Sequence, residues 1–382
     1  MDLTWTAEDQ AFRAQARAWL EANVPTDPLP SGDTRAGFAA HLDWERRLHA
    51  ARWSVVSWPE RYGGRDVNPW QWLVFEEEYY RAGAPQRVTQ NGIFLLAPAV
   101  FRFGTPEQQA RILPRMAAAQ DLWCQGWSEP GAGSDLASLT SRAVRDEAGG
   151  GWRLSGQKTW STRGAFCTHV FGLFRTGAGD DPEVRRHRGL TYFLVPLDAP
   201  GVTVHGFSRL DGDEGFADLF FDDVFVPDAD VLGPVHGGWK VAMATAAGER
   251  GLTLRSPGRF LAAFERLRSA ALAAGPDPAI VDRLVESWLD VQAYARHTDE
   301  VVTRIVAGEP VGAEASLSKL HWSELDVRLH ELALDVLGAG AQTDGSWTRG
   351  FQFSLSGPIY AGTNEIQRDI VAERLLGLPR SR

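Results

Sequence analysis

The sequence predicts a mainly α protein with a β-domain in its middle. Apolar residues recur at helical spacing in the first third. Short apolar or alternating runs bounded by Gly, Asp and Pro begin near Leu122, and long helical periodicities return from Trp239 to Leu378.

The first helix is marked by Thr6 followed by Asp9, an N-cap pair with Asp in the place usually taken by Glu or Gln. Phe12, Ala16, Trp19 and Leu20 then form its apolar face. Thr105-Pro106-Glu107 opens another helix with a cap residue, a proline at the first position and an acid near the positive end of the dipole. The runs Trp152–Leu154, Val170–Phe174, Leu190–Val195, Val202–Phe207 and Leu219–Val226 read as strands of an antiparallel sandwich or barrel, closed by Pro227 and the glycines of 233–238. In the last third, Val281, Leu284, Val285, Trp288 and Leu289 mark one helix. Leu325, Leu329, Leu332 and Val336 mark another, extended back by Leu317 and Leu320. Gly275-Pro276-Asp277-Pro278 separates the former from the helix before it. These leucine and aromatic stripes are expected to be core.

A chain of 382 residues is ample for two or three packed subdomains, and its 44% hydrophobic content is that of a folded protein. The net charge of −10 argues against a nucleic-acid surface. The basic run Arg185, Arg186, His187, Arg188 is expected to be a solvated loop, with a phosphate contact as the alternative. Cys124 and Cys167 are too far apart for a CxxC motif and make no disulfide framework, so a reducing cytoplasm fits. The acidic, amphipathic start is not a secretory signal, no run is long enough to span a bilayer, and no histidines have metal-ligand spacing.

Three segments carry chemistry. Trp127-Ser128-Glu129-Pro130-Gly131-Ala132-Gly133-Ser134-Asp135 runs from a strand into a loop whose glycines permit close ligand approach and whose N–H groups suit phosphate oxygens. Gly156-Gln157-Lys158-Thr159-Trp160-Ser161-Thr162 sets an indole beside two hydroxyls at a strand end, as a flat cofactor ring requires. Ala361-Gly362-Thr363-Asn364 is a turn into a capped helix. Singly, the first reads more readily as a plain turn and the second as a core Trp beside a polar turn. Glu129, Asp135 and Lys158 are expected to brace loops.

Together the three segments resemble the acyl-CoA dehydrogenase family. Further matches fall in the family's order: Pro59-Glu60-Arg61-Tyr62-Gly63-Gly64, Phe221-Asp222-Asp223-Val224-Phe225-Val226-Pro227 and Gly238-Trp239-Lys240. The resemblance covers nearly the whole chain. It implies an N-terminal helical domain over 1–120, a middle β-barrel over 121–232 and a C-terminal four-helix bundle over 233–382. It also implies FAD held between the last two, usually reaching a neighbouring subunit. By resemblance Gln125, Trp127 and Ser128 line the flavin, and Gly133 and Ser134 lie near cofactor phosphates or substrate. Trp160, Ser161 and Thr162 stand at the other face, with Thr162 near N5, and Thr363 and Glu365 approach FAD from the C-terminal turn.

The family's reaction removes an α-proton and a β-hydride from an acyl thioester, so a carboxylate must reach the α-carbon. In many members that carboxylate follows the Tyr of the C-terminal motif. Here Tyr360 is followed by Ala361. A subset, including isovaleryl-CoA and long-chain dehydrogenases, carries the base on an earlier helix, and Glu249 in Ala246-Ala247-Gly248-Glu249-Arg250-Gly251 matches that position. None of Thr245, Ala246, Leu252 and Thr253 offers it a cation at helical spacing, and Ala242, Ala244, Ala246, Ala247 and Gly248 leave room for a ligand. A structural Glu paired across the bundle is the alternative. The resemblance gives Ala361 a role through its backbone N–H, which with an FAD hydroxyl would hold the thioester carbonyl. Glu249 would take the α-proton and flavin N5 the hydride.

Two family features are altered. No Arg-x-x-Phe-Gly lies between Arg255 and Gln292, and Asp335-Val336-Leu337-Gly338-Ala339-Gly340 replaces Gln-x-x-Gly-Gly. Both belong to the half of the FAD site that serves a neighbour. The chain is therefore expected to form a homo-oligomer with a weakened phosphate site or a heterotetramer with a related chain. Electron-transfer flavoprotein is the expected electron acceptor. An oxygen-using oxidase or monooxygenase relative and a non-catalytic subunit are the competing readings. The acyl group is left open, as is the choice between coenzyme A and a carrier protein; Ala361 is compatible with branched or bulky chains.

Overall fold

The computed structural model describes residues 4–177, 187–250, 256–275, 277–309 and 311–380, with only the backbone of 247–250. Its helices are α1 (Ala7–Asn23), α2 (Arg35–Ala50), α3 (Pro69–Arg81), α4 (Ala97–Phe103) and α5 (Pro106–Ala117), then, after the sheet, α6 (Gly238–Arg250), α7 (Pro257–Ala274), α8 (Pro278–Val306), α9 (Glu314–Leu337), α10 (Ser346–Ser354) and α11 (Asn364–Arg374). The strands are β1 (Trp123–Gly126), β2 (Arg142–Asp146), β3 (Gly151–Thr162), β4 (His169–Arg175), β5 (Leu190–Pro196), β6 (Val202–Phe207), β7 (Phe216–Pro227) and β8 (Val231–Leu232).

Both expected caps form. Thr6 Oγ1 accepts from Asp9 N at 3.1 Å while Thr6 N donates to the Asp9 carboxylate at 3.2 Å. At α5 the equivalent box is closed by Gln108, whose Oε1 accepts from Thr105 N at 3.0 Å. Each satisfies N–H groups that the first helical turn leaves unpaired.

The strands form one eight-stranded sheet in the order β6-β7-β3-β2-β4-β5-β8, with β1 pairing parallel to β4. The sheet core includes Leu154, Val170, Phe174, Phe193, Val195, Leu219 and Val224. β4 and β5 are buried along almost their whole length, which explains their near-continuous apolar runs. β2, Arg-Ala-Val-Arg-Asp, buries only Ala143 fully and gave no strand signal. β3 and β7 are longer than their apolar runs suggested.

The chain divides into two compact units. One comprises Met1–Asp27, Val67–Pro85 and Glu249–Arg382, the other Pro28–Asp66 and Gln86–Gly248. The first unit is helical. Its core joins Phe260, Phe264 and Leu267 of α7 to Leu284, Val291 and Tyr294 of α8 and to Trp322, Leu325, Leu329 and Leu332 of α9. Glu78 of α3 is buried in this unit and paired with Arg13 and Arg17 of α1 and with Arg81. Burial alone would raise its carboxyl, but the three guanidiniums hold it at about 2.

Two apolar stripes are less buried than their period suggests: on α9 Leu317 is 39% exposed, while Leu325, Leu329 and Leu332 are core. Of the α8 stripe, only Leu284 is buried; Val281, Val285, Trp288 and Leu289 are between 43% and 54% exposed. The helical period was read correctly, but α7 and α9 cover a different face of α8.

Candidate active site

The first two motifs meet in the second unit. β1 delivers Gln125 and leads into Trp127 and Ser128, and β3 ends at Trp160, Ser161 and Thr162. The Ser128 carbonyl accepts from Thr159 N at 2.9 Å, pinning the β1 loop to the end of β3. Beside it the Lys158 ammonium lies 2.8 Å from the Glu129 carboxylate, with both side chains buried. Glu129 also accepts from Thr140 N, Thr140 Oγ1 and Ser141 N at 2.6, 2.8 and 2.9 Å. Burial alone would raise the Glu129 carboxyl; Lys158 and these donors outweigh it and hold it at about 2. Burial lowers Lys158 to about 8 against the opposing pull of Glu129. The pair is thus charged at neutral pH. Glu129 and Lys158 brace the loop, as expected. Asp135 contributes instead through its main-chain carbonyl, which accepts from Ser138 N and Oγ at 3.0 and 2.7 Å.

The loop itself is open. Gly133 and Ser134 are exposed, and a Cβ added at Gly131 or Gly133 would meet nothing within 4 Å. Two buried polar atoms in these motifs, Trp127 Nε1 and Ser161 Oγ, have no hydrogen-bond partner among the described residues. A buried donor left unpaired costs about 1–3 kcal/mol, so the site calls for a polar ligand or water. Two orphaned groups, an open glycine loop and an exposed indole fit the polar edge, phosphates and flat ring of a flavin dinucleotide.

The end of β3 is strained. Trp160 and Arg163 are non-glycine residues at φ +59° and +55°, each costing about 1–3 kcal/mol. They bracket Ser161 and Thr162. Arg163 is buried, with its Nε 2.6 Å from Asp33, and Asp33 also pairs with Arg209 at 2.7 Å. The Arg163 N–H donates to the Gly215 carbonyl at 2.9 Å. Sequence reasoning missed this clamp, because Asp33 lies more than a hundred residues from both arginines and in no motif.

The remaining assigned residues belong to the first unit. Ala361 is also left-handed, at φ +57°. Gln367 holds its turn, donating to the carbonyls of Ala361 at 3.0 Å and Gly362 at 3.3 Å. Asn364 is buried and bonded to Lys319 at 2.6 Å, Ser323 at 3.1 Å and Glu324 at 3.2 Å. Thr363 caps α11, accepting from Ile366 N at 3.4 Å. Glu365 is exposed at the start of α11, its carboxyl lowered by its own backbone N–H and the Thr363 hydroxyl. The backbone of Glu249 lies in α6, but its side chain is outside the described residues, as are Arg185 and Arg186 of the basic run. His187 and Arg188 are exposed, and the His187 ring meets Trp239 edge-on at 4.5 Å.

Helical segments before and after one sheet in chain order, with strand-end motifs suited to a flat ring, are the element order of the acyl-CoA dehydrogenase fold. The sequence matches the N-terminal domain of acyl-CoA dehydrogenase over residues 6–120, its middle domain over 124–224 and its C-terminal domain over 236–376. It is 40% identical over 386 residues to acyl-CoA dehydrogenase IpdE1 of Mycobacterium tuberculosis, covering 97% of this chain and 98% of that one. Among solved structures, the Tcur3481-Tcur3483 steroid ACAD superposes with a TM-score of 0.88 at 26% identity, over 100% of both chains. The ChsE4-ChsE5 complex from Mycobacterium tuberculosis superposes with a TM-score of 0.84 at 27% identity, also over 100% of both. The chain belongs to the acyl-CoA dehydrogenase family and is an oxidoreductase. No helix among the described residues is long and apolar enough to cross a membrane.

Proposed function

We propose that the protein is an FAD-dependent acyl-CoA dehydrogenase in which Glu249 removes the α-proton of a bulky acyl thioester. The observation that carries this reading is Ala361: the residue after Tyr360 has no acid, so the base must come from elsewhere in the chain. Glu249 matches the alternative family position. Trp127, Ser128, Trp160, Ser161 and Thr162 would hold the flavin ring, with Gln125 beside it. Gly133 and Ser134 would face phosphates, and Thr363 and Glu365 would approach the dinucleotide from α11. Bound FAD supplies a hydride acceptor at N5. The Ala361 N–H, in a turn fixed by Gln367, would hold the thioester carbonyl and so stabilise negative charge as the α-proton leaves.

The steroid ACAD among the structural relatives and the small side chain at Ala361 support a steroid-derived or other alicyclic acyl-CoA over a straight chain. Electron-transfer flavoprotein would accept the electrons. For assembly we favour a related chain as partner. The altered Arg-x-x-Phe-Gly segment removes this chain's contribution to a neighbour's cofactor, α8 presents an exposed apolar stripe, and the ChsE4-ChsE5 relative is itself a two-chain complex.

An anaerobic panel of acyl-CoAs tests the reading. Flavin absorbance should bleach with alicyclic acyl-CoAs much faster than with straight chains, and an artificial acceptor should sustain turnover. Purified chain that holds no FAD with or without a related partner refutes it. Stoichiometric peroxide on readmitting air would favour an oxidase instead.

A further inference from the structure

Trp160 combines three features that work against stability. It is a large apolar side chain 60% exposed, it has a left-handed backbone, and it sits where the sheet register breaks. Lys158 pairs with Leu219 and Ser161 with Ala217, so β3 spends one more residue than β7 across Thr159 and Trp160. A bulge of this kind re-aims a side chain, and strain of this kind persists only where surrounding structure enforces it. Two rings pack against the Trp160 indole. Phe207 of β6 and Phe216 of β7 meet the indole edge-on, with centroids at 5.2 and 5.5 Å and interplanar angles of 80° and 86°. They pair directly across the two strands, and their own rings stack at 6.0 Å. Phe216 is also the register partner of Thr162. Edge-on contacts leave at least one indole face clear of both rings.

We infer that Phe207 and Phe216 are positioning residues that hold Trp160 with its clear face toward the flavin ring, and that Phe216 sets Trp160 and Thr162 in one frame. The inference rests on the reading of Trp160 as a wall of the flavin site. Phe207 and Phe216 do not themselves touch the cofactor; they remove the indole's freedom before it binds, so that less ordering is left to oppose binding.

The test uses FAD-loaded protein and its flavin fluorescence, flavin circular dichroism and FAD dissociation constant. Phe207→Leu and Phe216→Leu should each weaken FAD binding by about three- to tenfold, the scale of an aromatic edge contact. They should also raise bound-flavin fluorescence through looser contact with the indole. Phe207→Tyr and Phe216→Tyr, which keep the ring, should restore both. If a Leu variant does not fold, the Met variant at the same site replaces it, keeping volume without the ring. Trp160→Leu is the control and should change all three signals. Leu or Met variants that lose thermal stability but keep normal flavin signals, while Trp160→Leu alters them, overturn the inference alone. A silent Trp160→Leu overturns the flavin-wall reading and this inference with it.

Discussion

The Lys158 ammonium stands 2.8 Å from the Glu129 carboxylate inside the second unit, so that one buried ion pair joins the glycine loop to the strand ending at Trp160, Ser161 and Thr162. Removing one member of a buried pair strands the other charge, which costs about 3–5 kcal/mol. Glu129→Gln should therefore lower unfolding stability by about that amount. Glu129→Gln combined with Lys158→Met should recover much of the loss, as read by a double-mutant cycle in denaturant. Additive losses would show that the two residues act separately.

The same pair sets an acid limit. Glu129 is held at about 2 when folded, against an ordinary 4.5. Its contribution is thus fully present above the ordinary value and lost as pH falls through the folded one. The stability difference between the native protein and Glu129→Gln should shrink steadily as pH falls from about 5 toward 2. A difference independent of pH over that window would contradict the assignment.

The exposed stripe on α8 predicts an interface. Trp288→Glu combined with Val285→Glu should reduce the native mass, measured by light scattering, to that of a single chain or a smaller assembly. Thermal stability of each chain should change little, since both side chains are about half exposed. An unchanged mass would place the contact elsewhere.

Helical–sheet–helical order, both N-caps and five strands were legible because each depends on residues close in sequence. Thr6 with Asp9 and Thr105 with Pro106 spell their own helix starts. The α8 stripe was misread because period identifies a helix face without saying what covers it. The motif residues could be picked out as candidates for the same local reason, but the contacts that support them could not. Asp33 reaches Arg163, Phe207 and Phe216 reach Trp160, and Lys319 reaches Asn364 across many residues. Gln367 was the exception in reach, only one turn into α11 from Ala361, yet nothing in its identity signals that it clamps the turn.

Ala361 offers a converse test of the base. Glu249→Gln combined with Ala361→Glu returns a carboxylate to the commoner family position and should recover part of the lost turnover with a small acyl-CoA. Recovery with small substrates but not bulky ones would agree with Ala361 as the residue that opens the pocket. No recovery with any substrate, in a variant that still binds FAD, would separate position 361 from the α-carbon.

Glu249→Gln alone is the most direct measurement. It keeps size and removes the base, so the rate of anaerobic flavin reduction by the best acyl-CoA should fall at least about a hundredfold. FAD content should be retained, because the proposed flavin contacts lie in Ser128, Trp160 and Thr162. A variant that reduces its flavin at nearly the native rate would contradict Glu249 as the base; a fall of that size with FAD still bound is the expected result.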